Sequence, residues 1–116
     1  MVTMVKKTYI PRRGDIVWID FDSTKGHEQN GRRPALVLSP ESYNALSGRA
    51  LFCPVTSRVR GHVFEVLHSG DKVVGAVLVD QVRSMDWKSR PVAFVEIAEQ
   101  DVVHEVEARL LAIVKD

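Results

Sequence analysis

A single cysteine in 116 residues excludes any internal disulfide. That residue, Cys53, sits in the apolar run Leu51-Phe52-Cys53-Pro54-Val55, the setting of a small core side chain rather than a reactive thiol. No apolar run nears the roughly 20 residues needed to cross a bilayer. The charged start, Met1 to Thr8, has no apolar stretch behind it, so no signal peptide is expected and the cytoplasm is the expected compartment. His27, His62, His68 and His104 lack metal-ligand spacing with cysteine or carboxylates, and no glycine-rich phosphate loop opens a helix. A Gly-x-Ser-x-Gly elbow is also missing, so serine-hydrolase chemistry is disfavoured. No metal and no cofactor are expected. Repeats, low-complexity stretches and linkers are absent as well.

What is present suits one folded domain. Hydrophobic residues make up 45% and charged residues 27%, and a chain this long can bury roughly two-thirds of its unfolded surface. The domain is expected over residues 9–116, with residues 1–8 fraying because nothing in them alternates. The net charge of +1 hides an asymmetry: residues 1–90 carry 14 of the 16 basic and 9 of the 15 acidic groups, while residues 91–116 carry 2 basic and 6 acidic ones. A surplus of that size suits a few phosphates or an acidic peptide better than a long duplex.

The pattern is strand-rich. Short alternating or apolar runs at residues 16–21, 35–39, 50–56, 63–67, 75–79 and 92–97 are each bounded by Gly, Pro or Ser, which predicts six strands. Residues 81–85 are expected to extend or bend the fifth. One or two helical turns are expected at residues 41–46. Near the C-terminus the period changes: Val103, Val106, Leu110 and Ile113, flanked by Val102 and Val114, recur at three and four residues, the stripe of an amphipathic helix. Together these predict an α+β fold, mainly β: a small, strongly bent barrel closed by a terminal helix.

Function is expected in the connector between the first two strands. An ordinary hairpin connection has about 2 to 5 residues, whereas this one is roughly twice that length and holds Lys25, His27, Glu28, Arg32 and Arg33. Arg33 precedes Pro34, which bars it from helical conformations and fixes the loop exit in extended form. A guanidinium so held can grip a phosphate by two parallel hydrogen bonds and steady charge growing on phosphorus. Thr56 ends an apolar strand and could donate its hydroxyl to a phosphate oxygen or merely cap a turn. Asp80 and Gln81 close the run 76–79, where the carboxylate suits a base, an acceptor for a base edge or an ion-pair partner.

Taken together, Gly14 to Pro40, Pro54-Val55-Thr56-Ser57 and Asp80-Gln81-Val82-Arg83-Ser84 resemble the MazF/PemK toxins of type II toxin–antitoxin systems, in the same order and at similar spacings. The likeness runs over residues 10–114. It is nearest to the MazF branch through Trp18-Ile19-Asp20-Phe21-Asp22, Thr24-Lys25-Gly26, Tyr43-Asn44 and Phe64-Glu65-Val66. The resemblance implies an SH3-like barrel, a homodimer, and a metal-independent endoribonuclease that cuts single-stranded RNA, mainly messenger, at short sequences. It also implies a MazE-like antitoxin as partner and no membrane.

By position, the resemblance assigns catalysis to Arg33 and Thr56, with Glu28 in the loop. The PemK branch uses instead the His of Gly-His-Glu-Gln, an Arg two positions before Asp-Gln, and that Asp. Here His27 and Asp80 match but Leu78 takes the arginine position, which favours Arg33 and Thr56. Arginine stays protonated at any working pH, so the general base is left between His27 and Glu28. Base recognition is expected from Phe21, Lys25, Ser57, Arg58, Asp80, Gln81 and Arg83, because single strands are read by stacking and base-edge contacts. Two alternatives are a CcdB-like gyrase-binding toxin of similar fold, whose tryptophan-bearing C-terminus this chain lacks, and an inactive binding barrel.

Overall fold

Alternation in the sequence becomes a seven-stranded, mainly antiparallel barrel in the computed structural model, which describes residues 9–22 and 31–115. The strands are β1 (Asp15–Asp20), β2 (Arg32–Val37), β3 (Arg49–Thr56), β4 (Glu65–Ser69), β5 (Val74–Leu78), β6 (Arg83–Asp86) and β7 (Val92–Ile97). Helix α1 (Glu41–Ser47) links β2 to β3, and α2 (Gln100–Lys115) follows β7. The strand path is β4-β5-β3-β2-β1-β7, with β6 beside β3. The expected tail at residues 1–8 lies outside the described residues, as do Lys25, His27 and Glu28. Among the described residues no helix is long and apolar enough to cross a membrane.

Strand β1 shows why both faces of the sheet are apolar. Ile16 joins Leu36, Cys53, Val55, Val77, Val103 and Val106 in the core beneath α2. Val17, Ile19 and Phe21 point the other way, into a second cluster with Ala35, Val37, Phe52, Met85 and Trp87. Since side chains alternate across a strand, one run of four apolar residues serves both layers. Asn44 then fastens α1: fully buried, it donates from Nδ2 to the Pro11 and Ser39 carbonyls, while its own backbone carbonyl accepts the Trp87 indole N–H at 3.0 Å. Cys53 is buried as expected, and its desolvation pushes the thiol up to about 12.

Two sequence expectations are corrected. Residues 81–85 do not extend the fifth strand: a 3-10 turn, Val79–Gln81, swings the chain away, and β6 pairs with the first half of β3. The count is therefore seven strands, not six. The apolar stripe of α2 also ends early. Val103 and Val106 are buried and Leu110 is partly covered, but Ile113 and Val114 are exposed because the helix outruns the core beneath it.

The barrel closes through side chains. Strands β4 and β7 are the two ends of the strand path, and Glu96 on β7 reaches across to the β4–β5 hairpin. Its carboxylate accepts from His68 Nε2 at 2.9 Å and from the backbone N–H groups of Lys72 at 2.9 Å and Val73 at 3.1 Å. A Cβ at Gly70 would strike the Glu96 carboxylate and the His68 ring, so a side chain there would push this closure apart. Burial would raise the Glu96 pKa, but those three donors outweigh it and hold the carboxyl below the usual range.

Candidate active site

The site forms where two strands part. Along β2 and β3 the register runs Val37↔Phe52, Leu36↔Cys53 and Ala35↔Pro54, and there the ladder stops. From Val55 onward β3 pairs with β5 instead, Val55 opposite Val77 and Thr56 opposite Ala76. Pro54, which has no N–H to give, stands at the changeover. Continued on paper, the same register would set Arg33 opposite Thr56. The β2–β3 ladder has ended by that point, and the two residues line separate depressions that have Gln81 in common.

Two adjoining depressions make up the cleft. One, of about 430 Å³, is lined by Phe21, Asp22, Gly31, Arg33, Pro54, Gln81, Val82 and Arg83. The other, of about 340 Å³, holds Thr56, Arg58, Asp80 and Gln81 together with Arg60, His62, Phe64, Glu65 and Leu78. Gln81 lines both, placed there by the 3-10 turn, and so lies between the Arg33 side and the Thr56 side.

The Arg33 side is rigidly built. Ile19 pairs with Arg33 and Trp18 with Pro34, so Arg33 shares the face of the buried Ile19 and stands exposed at its open end. The neck of the long connector is pinched: Phe21 N–H donates to the Gly31 carbonyl at 2.8 Å, and a Cβ on Gly31 would collide with Asp20 and Asp22. The Arg83 guanidinium donates to the Phe21 carbonyl at 2.9 Å and lies 5.6 Å over the Phe21 ring. Arg90 donates to the Asp20 carbonyl at 2.7 Å. Two cations thus hold Asp20, the last residue of β1, and Phe21 just beyond it, where the connector leaves the sheet.

On the opposite lip, the Thr56 hydroxyl oxygen accepts the Arg58 N–H at 3.1 Å. That contact orients the side chain and leaves its O–H proton available to an oxygen of a ligand. Asp80 is exposed on the 3-10 turn. Among the described residues, no cluster of three or more His, Cys, Asp or Glu is placed to hold a metal ion.

Of the residues singled out by sequence, the cleft gathers Arg33, Thr56, Phe21, Arg58, Asp80, Gln81 and Arg83. Ser57 is exposed but does not line it, and Phe21 is mainly a core residue. Arg60, His62 and Phe64 were missed. The signal was there, because after Thr56 the chain places Arg58, Arg60 and His62 at every second residue.

Comparison with known proteins places the chain in a family. Residues 12–114 match the model of PemK-like, MazF-like toxins of type II toxin–antitoxin systems. The endoribonuclease toxin MazF of Escherichia coli K12 is 50% identical over 82 residues, covering 71% of this chain and 74% of that protein. The crystal structure of MazF from Deinococcus radiodurans superposes with a TM-score of 0.84 at 45% identity, over 94% of this chain and all of that one. MazF in a MazE–MazF crystal structure from the same organism gives 0.82 at 41% identity, again over 94% and 100% of the two chains. With nearly its whole length matched by the family model, the chain belongs to the PemK-like, MazF-like toxins of type II toxin–antitoxin systems.

Proposed function

We infer that this toxin is a sequence-specific endoribonuclease whose reacting phosphate sits between Arg33 and Thr56. The end of the β2–β3 ladder supports the reading, since beyond it a cation, Arg33, and a hydroxyl, Thr56, line two depressions that have the amide of Gln81 in common. The ribose 2′-hydroxyl attacks the adjacent phosphorus in line. Its proton passes to a base, a new P–O2′ bond forms, and the P–O5′ bond breaks, leaving a 2′,3′-cyclic phosphate and a 5′-hydroxyl. The protein moves two protons and stabilises one added negative charge.

Arg33 enters the step protonated, stabilises the phosphorane and gives a guanidinium proton to the departing 5′-oxygen, regaining one from solvent afterwards, while Thr56 orients a non-bridging oxygen. The base is His27 or Glu28, both in the connector outside the described residues. Arg58, Gln81 and Arg83, with Phe21, Lys25, Ser57 and Asp80, contact the flanking nucleotides. Messenger RNA as substrate makes the cytoplasm the place of action. The partners are a second copy of the chain and a MazE-like antitoxin, the latter supported by the MazE–MazF structures of Deinococcus radiodurans; the antitoxin's acidic tail competes for the same basic cleft.

The test is to incubate purified protein with a long RNA in EDTA and map the new ends. Cuts at a short recurring sequence, with cyclic phosphate and 5′-hydroxyl ends, are expected. A requirement for Mg²⁺, or 5′-phosphate ends, would overturn the mechanism.

A further inference from the structure

The Thr56 side of the cleft carries an unusual anchor. After Thr56 the chain runs through Ser57, Arg58, Val59, Arg60, Gly61 and His62 before β4 begins at Glu65, and three of these residues line the cleft with basic side chains. Among the described residues neither the Arg58 nor the Arg60 guanidinium is paired with a carboxylate. What is fixed is the loop's backbone. One oxygen of the Glu65 carboxylate, Oε1, accepts both the Arg60 N–H at 3.0 Å and the Gly61 N–H at 2.9 Å. The Glu65 N–H returns to the His62 carbonyl at 3.1 Å. From α2, the Arg109 guanidinium donates to the Val63 carbonyl at 2.5 Å and to the Glu65 carbonyl at 3.0 Å.

Glu65 is largely buried, although it sits in a cleft that should attract anions. Burial pushes its pKa up, but the backbone N–H groups of Arg60 and Gly61 and the nearby His62 hold it below the usual carboxylate range. Its negative charge is thus directed at the loop backbone rather than at an incoming phosphate. An arginine used for phosphate contact loses less freedom on binding if its backbone is already set.

We propose that Glu65 is a positioning residue for RNA binding, holding the β3–β4 loop so that Arg58 and Arg60 meet phosphates of the strand leaving the Thr56 side of the cleft. It acts through the loop and touches no reacting atom. The proposal rests on the reading of the cleft as the RNA site, and the experiment separates the two.

Wild type, Glu65→Ala and Glu65→Gln are compared in steady-state cleavage and in binding of a 2′-O-methyl copy of a segment that wild type cuts, over a range of salt. Failure of wild type to bind that uncleavable RNA would overturn the underlying reading of the cleft. For Glu65→Ala the expected result is a KM raised about tenfold with kcat within about twofold. The slope of log affinity against log salt should shrink by about 0.7 to 1.4, the share of one or two single-strand phosphates. Glu65→Gln, whose Oε1 still accepts both N–H groups, should restore most of the affinity. A Glu65→Ala protein with a lower melting temperature but wild-type KM and salt slope would overturn the proposal. Amide exchange in wild type supplies a test that needs no variant: protection at Arg60 and Gly61 is expected, and coil-like exchange at both would refute the anchor.

Discussion

Replacing Glu96 by alanine should open the barrel at the place where no backbone ladder closes it. The change removes three hydrogen bonds to one carboxylate: those from His68 Nε2, the Lys72 N–H and the Val73 N–H. The side chains of His68 and Glu96 are only 2% and 13% exposed, so water replaces these contacts poorly. At about 1 kcal/mol net for each, the loss is about 3 kcal/mol. For a chain of this size that lowers the melting temperature by about 12 °C. The control is Arg12→Ala, which breaks an ion pair to Glu41 whose side chains are 67% and 46% exposed and should cost less than about 1 kcal/mol. Urea unfolding followed by circular dichroism measures both.

The same three contacts set a pH dependence. Because the Glu96 carboxyl lies below its ordinary value of 4.5 in the folded state, its contribution is fully present above that value. It is lost as the pH falls through the lower, folded value. Wild type should therefore lose more stability than Glu96→Gln over that acid window. Equal costs for Glu96→Ala and Arg12→Ala, with parallel acid profiles for wild type and Glu96→Gln, would refute closure by this carboxylate.

Other outcomes follow from the cleft and the core. Arg33→Ala should lower kcat about 10² to 10³-fold without unfolding the protein, as loss of one donor to a developing charge does, whereas Thr56→Ala should cost about tenfold in kcat/KM; single-turnover cleavage measures both. Cys53, buried with its thiol pushed up to about 12, should resist iodoacetamide at pH 8 in the native state and react fully in urea, as mass spectrometry would show. Antitoxin and uncleavable RNA should displace one another in a fluorescence titration; simultaneous binding at full affinity would sink the competition model.

Sequence and structure agree most closely where a period governs. Residues 16–21 and 92–97 alternate or run apolar, and both form strands; Val103 and Val106 mark the buried face of α2. Agreement fails where register decides. Nothing local tells that β3 changes neighbours at Pro54, yet that change ends the β2–β3 ladder before Arg33 and Thr56 could pair. Nor could residues 81–85 announce a separate strand, because only the 3-10 turn at Val79–Gln81 turns them toward β3. Glu96 and His68 lie 28 residues apart and meet only because the sheet curls. The basic side chains at 58, 60 and 62 were legible as a pattern, but their anchor at Glu65 needed the loop's path.

The parting of β2 and β3 has a consequence for when this toxin can do harm. The two lips and the residue between them come from three segments, at residues 33, 56 and 81, and each takes its place only when its strand or turn is paired or docked. With the site proposed above, no single segment carries all three of these residues. On that proposed assignment a nascent, nicked or partly melted chain is disarmed as a whole, and the damage a cell suffers is expected to scale with the number of fully folded barrels.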